Sequence, residues 1–144
     1  MHEELDITYK NLCFKINSEL NYLEVIIDDV NFSDQESYIS SASVLLEYAL
    51  SLRPYFIIIN KLYSKFKIKP VLYSFTAKNI IDPLRSNGVR KILCLASEEE
   101  YRTHYKDIEI MESFIKGFTS KAEAIKWIGE NQPPKYGINV PLPQ

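Results

Sequence analysis

Four lysines fall within nine residues of this chain: Lys61, Lys65, Lys67 and Lys69, interleaved with Tyr63, Phe66 and Ile68. Basic side chains alternating with aromatics can neutralise a phosphate or carboxylate while stacking on a planar group. Ser64 adds one hydroxyl to the same stretch. The plainer reading is a solvated loop anchored by Tyr63 and Phe66. The segment has no glycine, which argues against a backbone phosphate cradle.

Other clusters promise less. Glu100 and His104 stand four apart on a predicted helix, a spacing that suits a surface ion pair. Asp28 and Asp29 end a predicted strand, where adjacent side chains point to opposite faces, so a shared acid/base role is awkward. Tyr101 and Tyr105 flank His104 and are expected to cover the edge of the core. Nucleophile elbows, HExxH, GxGxxG and Walker-type loops do not occur. No catalytic residue, metal ligand or cofactor is nominated.

The lysines belong to a wider pattern of charge. Residues 1–52 hold two basic and ten acidic side chains, residues 53–91 nine and one, and residues 92–144 six and eight. The net −2 therefore conceals blocks of −8, +8 and −2. Such a split fits an anionic ligand, an acidic partner, or two neutralising faces of one domain. Nucleic acid is disfavoured, because a net acidic chain must overcome long-range repulsion.

At 144 residues, with 46% apolar and 25% charged side chains, the chain has the size and composition of one globular domain. No apolar run approaches the roughly 20 residues that span a bilayer. The acidic start, Met1-His2-Glu3-Glu4, is unlike a secretory signal, so a cytoplasmic location is expected. Cys13 and Cys94, in different predicted strands, are expected to be reduced.

Leu12, Phe14 and Ile16 alternate with Cys13, Lys15 and Asn17, and Leu23, Val25 and Ile27 with Glu24, Ile26 and Asp28, which predicts a hairpin across Ser18–Asn21. Ser33-Asp34-Gln35-Glu36 has the form of a capping box, followed by Ile39, Ala42, Leu45, Leu46 and Ala49 at helical spacing up to Pro54. Tyr55–Ile59 is a continuous apolar run, the signature of a central strand. A second helix is predicted from Pro70, disturbed near Asn79–Asp82 by Pro83 and stopped at Gly88. Val89–Ala96 predicts a strand, Ser97-Glu98-Glu99-Glu100 a capped short helix, Met111–Ile115 a strand, and Ser120-Lys121-Ala122-Glu123 a capped terminal helix. Pro133, Pro134, Pro141 and Pro143 predict an extended arm. The expected order is β-β-α-β-α-β-α-β-α: an α/β domain with a mixed, mostly parallel sheet and helices packed against it.

That order and several residues resemble the STAS-like domains, which include the anti-sigma-factor antagonists and many small bacterial proteins. The segment Phe118-Thr119-Ser120-Lys121-Ala122-Glu123-Ala124-Ile125-Lys126-Trp127-Ile128 is similar to their closing helix, F-x-S-x-x-E-A-x-x-W-[LI]. Pro83, Gly88 and Arg90-Lys91-Ile92-Leu93 resemble the entry to their fourth strand. The resemblance implies an N-terminal segment at 1–10, a STAS-like domain at 11–130 and a proline-rich arm at 131–144. It implies a non-catalytic regulatory or protein-interaction role, with a protein partner or self-association. The phosphoregulated members place an acidic residue, then Ser or Thr, then Ser-Gly after the central strand; Asn60–Lys65 departs from this, so no phosphosite transfers to Ser64. The alternative reading of the residues themselves is a small anionic or amphipathic ligand at Lys61, Tyr63, Ser64, Lys65, Lys67 and Lys69.

Overall fold

The computed structural model describes residues 3–105 and 113–133. A six-stranded mixed sheet runs in sequential order: β1 (Leu5–Tyr9), β2 (Leu12–Asn17), β3 (Tyr22–Ile26), β4 (Phe56–Asn60), β5 (Lys91–Leu95) and β6 (Ile115–Phe118). The first two pairings are antiparallel and the last three parallel. The α/β class and the mostly parallel sheet are as expected.

Strand β1 is an addition. Leu5, Ile7 and Tyr9 fall within the segment set apart at 1–10, yet they pair with Ile16, Phe14 and Leu12. The connecting residues Lys10 and Asn11 both take positive φ (48° and 73°), as a two-residue type I′ hairpin requires. Tyr9 Oη donates to Glu47 at 2.7 Å, and Lys10 Nζ lies 3.0 Å from the same carboxylate. The hairpin is thereby tied to α1 (Gln35–Leu52).

Helix α1 is capped by Asp34 rather than Ser33. The Asp34 carboxylate accepts from the Ser37 N–H at 2.8 Å, while Ser37 Oγ accepts from the Asp34 N–H at 3.0 Å. An acid can cap as well as a hydroxyl and also opposes the positive end of the helix dipole. The helix ends at Arg53, whose φ is 54°, just before Pro54.

In a sequentially ordered parallel sheet, crossovers of one hand place every connecting helix on the same face. Accordingly α1, the helical segment Pro70–Ser86 and the segment Glu98–Tyr105 all cover one face, against Leu23, Val25, Ile57, Ile92 and Cys94. The last helix, α5 (Lys121–Glu130), makes no crossover and packs Ala124, Ile128 and Trp127 on the opposite face, against Phe56, Ile58, Leu93 and Leu95. Central strand β4 is buried on both sides: Phe56, Ile57 and Ile58 are at most 2% exposed.

Two helical segments are irregular. Pro70–Ser86 begins as a 3-10 turn with Pro70 at its first position, becomes α2 (Tyr73–Thr76), widens to a π turn at Ala77–Ile81, and closes as α3 (Asp82–Ser86). Pro83 lies where its missing N–H is accommodated by the wider turn. Gly88, at φ 99°, then reverses the chain. The second segment is α4 (Glu98–Glu100), capped by Ser97, passing into a π turn at Tyr101–Tyr105.

Strand β6 lies later than the expected Met111–Ile115, of which residues 111–112 fall outside the described residues. It contains Gly117, and the glycine is required by packing. A Cβ at that position would sit 2.8 Å from both Tyr101 Cδ1 and Tyr105 Cβ, because the π turn lies directly on the strand. Gly117→Ala is expected to destabilise the protein by about 1–3 kcal/mol through overpacking, as measured by chemical denaturation. A change inside experimental error would mean that the π turn does not rest on β6.

Most of the arm at 131–144 lies outside the described residues. Gln132 is described: its side-chain amide donates to Leu20 O at 3.0 Å and to Ile128 O at 3.2 Å. No helix among the described residues is long and apolar enough to cross a membrane.

Candidate functional site

The six residues singled out from sequence all follow β4, at the carboxyl end of the parallel strands, where open α/β sheets usually bind ligands. The chain does not bring all six together. Tyr63 is 81% exposed and points to solvent. Ser64 Oγ donates to Asp29 Oδ1 at 2.8 Å and accepts from the Phe66 N–H at 2.9 Å. The Lys65 N–H reaches the same Asp29 oxygen at 3.0 Å. The Ser64 hydroxyl and that N–H hold the Asp29 carboxyl below its ordinary pKa. Asp29 is thus a clasp that fixes the loop across the end of β3.

Lys65, Lys67 and Lys69 line a depression of about 310 Å³ at the start of α1, beside Asp29 and Asp34. The acidic and basic blocks of the sequence therefore meet at this depression. Asp28 turns elsewhere, its carboxylate accepting from the Val30 and Asn31 N–H groups at 2.9 and 2.6 Å. The two adjacent acids diverge because β3 ends at Ile26 and Asp28 closes the turn that follows, rather than through strand alternation.

Lys61 takes the opposite direction. It is 7% exposed, and its Nζ lies 2.5 Å from Glu100 Oε2 and 3.3 Å from Tyr105 Oη. The expected Glu100–His104 surface pair is replaced by this one, because Lys61 leaves the end of β4 directly beside α4. His104 packs its ring 4.9 Å from that of Tyr105 and 6.3 Å from that of Tyr73. Neither cysteine forms a disulfide; Cys13 is exposed and Cys94 is buried.

Lys61, His104, Tyr105 and Cys94 share one feature that the sequence did not reveal. They line a cavity of about 360 Å³ between the sheet and its helical cover. Its floor is Ile27, Ile59, Ile92 and Ile115; its roof includes Ala42 of α1 and Thr76 and Ile80 of the disturbed helix. Short side chains at Ala42 and Thr76, and the π turn at Ala77–Ile81, keep the roof from closing onto the sheet. π turns are frequent at functional sites. Tyr73, 45% exposed, stands at the rim with His104.

Phe32 and Phe66 line both the cavity and the outer depression. Phe66 stacks on Tyr38 with centroids 5.5 Å apart and planes 12° from parallel, and its centroid is 5.8 Å from that of Phe32. The loop's aromatic residue is thus the partition between a polar outer surface and an apolar interior.

The polar groups of the cavity are few and internally matched. Thr76 Oγ1 donates to Leu72 O at 2.8 Å, so Tyr38 Oη donates to Thr76 across 2.6 Å. Burial raises the pKa of Tyr38, and burial with the nearby Cys94 and Glu100 raises that of Tyr105. Both phenols therefore stay protonated. No cluster of three or more metal-ligating side chains occurs among the described residues. Comparison of the chain with protein families, curated proteins and solved structures returned no match.

Proposed function

We propose that this chain is a non-catalytic regulatory domain of STAS-like type whose signal is a small amphipathic ligand held beneath the loop that follows β4. The observation that carries the reading is the cavity itself. Ligand sites are typically concave, mostly apolar, about 300–1,000 Å³, and fitted with a few convergent polar groups. The 360 Å³ space with Lys61, Tyr105 and His104 in its wall meets that description. An apolar cavity of about 150 Å³ already binds benzene, so this one has room for a larger molecule.

A regulatory output needs a surface that changes with occupancy. Val30, Tyr63 and Val71 are 80%, 81% and 67% exposed, and all three belong to connections leaving the carboxyl ends of β3 and β4. A protein partner or second copy that reads the loop's position would contact these side chains.

The test uses N-phenyl-1-naphthylamine, an uncharged fluorophore that brightens in apolar surroundings. The protein is expected to bind it saturably, and Ala42→Leu, which fills the roof, to weaken binding by about tenfold or more. Ala42→Met serves if the leucine variant loses its circular dichroism spectrum. No saturable binding, or equal binding by a folded roof variant, removes the cavity from the argument.

A further inference from the structure

We infer that the cavity selects an uncharged ligand with an apolar body and a single hydrogen-bond acceptor, and that Glu100 sets this selectivity by neutralising Lys61. The inference rests on the reading of the cavity as a ligand site and names the class of molecule it takes.

Charge and proton count decide the selection. The Lys61 ammonium has three donors. One faces Glu100 at 2.5 Å and a second faces Tyr105 Oη at 3.3 Å, which leaves one for a guest. Tyr105 accepts from Lys61 and directs its own proton to the Cys94 sulfur. Tyr38 and Thr76 satisfy each other and Leu72 O. The Lys61–Glu100 pair therefore offers one spare donor at zero net charge, while the His104 ring stands at the rim beside Tyr73.

A carboxylate or phosphate entering this space would place a second negative charge beside Glu100 among isoleucines. An ammonium would meet Lys61 in the same way. Burying an ion without its own counter-charge is strongly disfavoured. A ketone, ester or alcohol escapes that cost and accepts the spare proton. The basic surface residues do not alter this selection, because Lys65, Lys67 and Lys69 line the outer depression, whereas Lys61 lines the cavity.

Three probes of one length isolate the polar end: decane, 2-decanone and decanoate, each competing with the fluorophore. The protein is expected to bind 2-decanone about tenfold or more tightly than decanoate, and more tightly than decane. Glu100→Gln leaves Lys61 without its counter-ion and is expected to invert the order, so that decanoate becomes the best of the three. If that variant does not fold, Lys61→Met with Glu100→Gln is the substitute. The double variant is expected to reject decanoate still, while no longer preferring 2-decanone to decane. Decanoate binding the unmodified protein as well as 2-decanone does overturns the inference, as does an unchanged order in Glu100→Gln. Failure of all three probes to displace the fluorophore, or absence of fluorophore binding, overturns the cavity reading beneath it.

Discussion

Lys61→Met is expected to destabilise the domain by about 3 kcal/mol, because removing one partner of a buried ion pair strands the other. The side chain of Lys61 is 6% exposed and that of Glu100 16%, so water reaches neither freely. Methionine keeps the length of the lysine stem, which limits the packing loss and isolates the charge. Glu100, left beside Tyr105 without its cation, would turn toward solvent. The double variant Lys61→Met with Glu100→Met is expected to recover most of the loss, since an apolar pair of similar volume replaces a buried ion pair at little cost. Urea unfolding of the four proteins gives the coupling directly. A single-variant loss below about 0.5 kcal/mol would mean that the ammonium reaches bulk water, and the polar end assigned to the cavity would disappear with it.

The same residue shows where reading from sequence stops. Lys61 is one of four lysines in a single basic and aromatic stretch, each followed by an apolar residue, and only its position separates it from Lys65, Lys67 and Lys69. It follows the last residue of β4, where the backbone still bonds to β5 through the Lys61 N–H and Leu95 O at 3.0 Å. Its side chain is directed by the sheet; the other three are directed by a loop that Asp29 fastens. No periodicity encodes that difference. The cavity was hidden for a related reason: it is lined from separate stretches of chain between Ile27 and Ile115, including residues of two π turns, which have no reliable sequence signal.

Features set by local chemistry were legible. Ser97 and Ser120 cap their helices as the spacing to Glu100 and Glu123 implies, with Oγ accepting at 3.1 and 3.2 Å. The apolar run through Ile57 and Ile58 is a strand covered on both sides, and Pro83 and Gly88 disturb and end their helix where expected. The errors came where a competing residue served better. At α1 an acid capped in place of Ser33. At β1 the Lys10-Asn11 turn lacks the glycine that usually marks a tight hairpin. At β6 a glycine that reads as a strand breaker is demanded by Tyr101 and Tyr105. The resemblance to STAS-like domains rests on residue patterns and is a proposal about kinship and role.

The opposite face of the sheet supplies the second large effect. Lys121 opens α5 and lies 2.6 Å from Glu4 Oε2 and 2.6 Å from Glu24 Oε1, so one ammonium bridges two carboxylates. Glu24 is 1% exposed in the middle of β3, and its other oxygen accepts from Asn60 Nδ2 at 2.8 Å. Glu4 also accepts from Tyr22 Oη, so this cluster ties the start of β1, the sheet centre and the last helix together. Lys121→Met removes the cation from two carboxylates and is expected to cost about 3 kcal/mol, the lower end for a buried pair because Lys121 itself is 26% exposed. The melting temperature should fall by roughly 10 °C in a domain of this size. Lys121→Met with Glu24→Gln is expected to regain part of the loss, the amide still accepting from Asn60. Acid separates this mechanism from a packing defect. Burial works to raise the pKa of Glu4, but the Lys121 and Tyr22 hydrogen bonds outweigh it and the net shift is downward. A depressed carboxylate contributes stability that is present above its unfolded value of 4.5 and is lost as pH falls through the folded value. The difference between the unmodified protein and Lys121→Met should therefore be widest near neutrality and narrow below 4.5. A gap that stays constant into acid would assign the effect to the lysine stem rather than its charge.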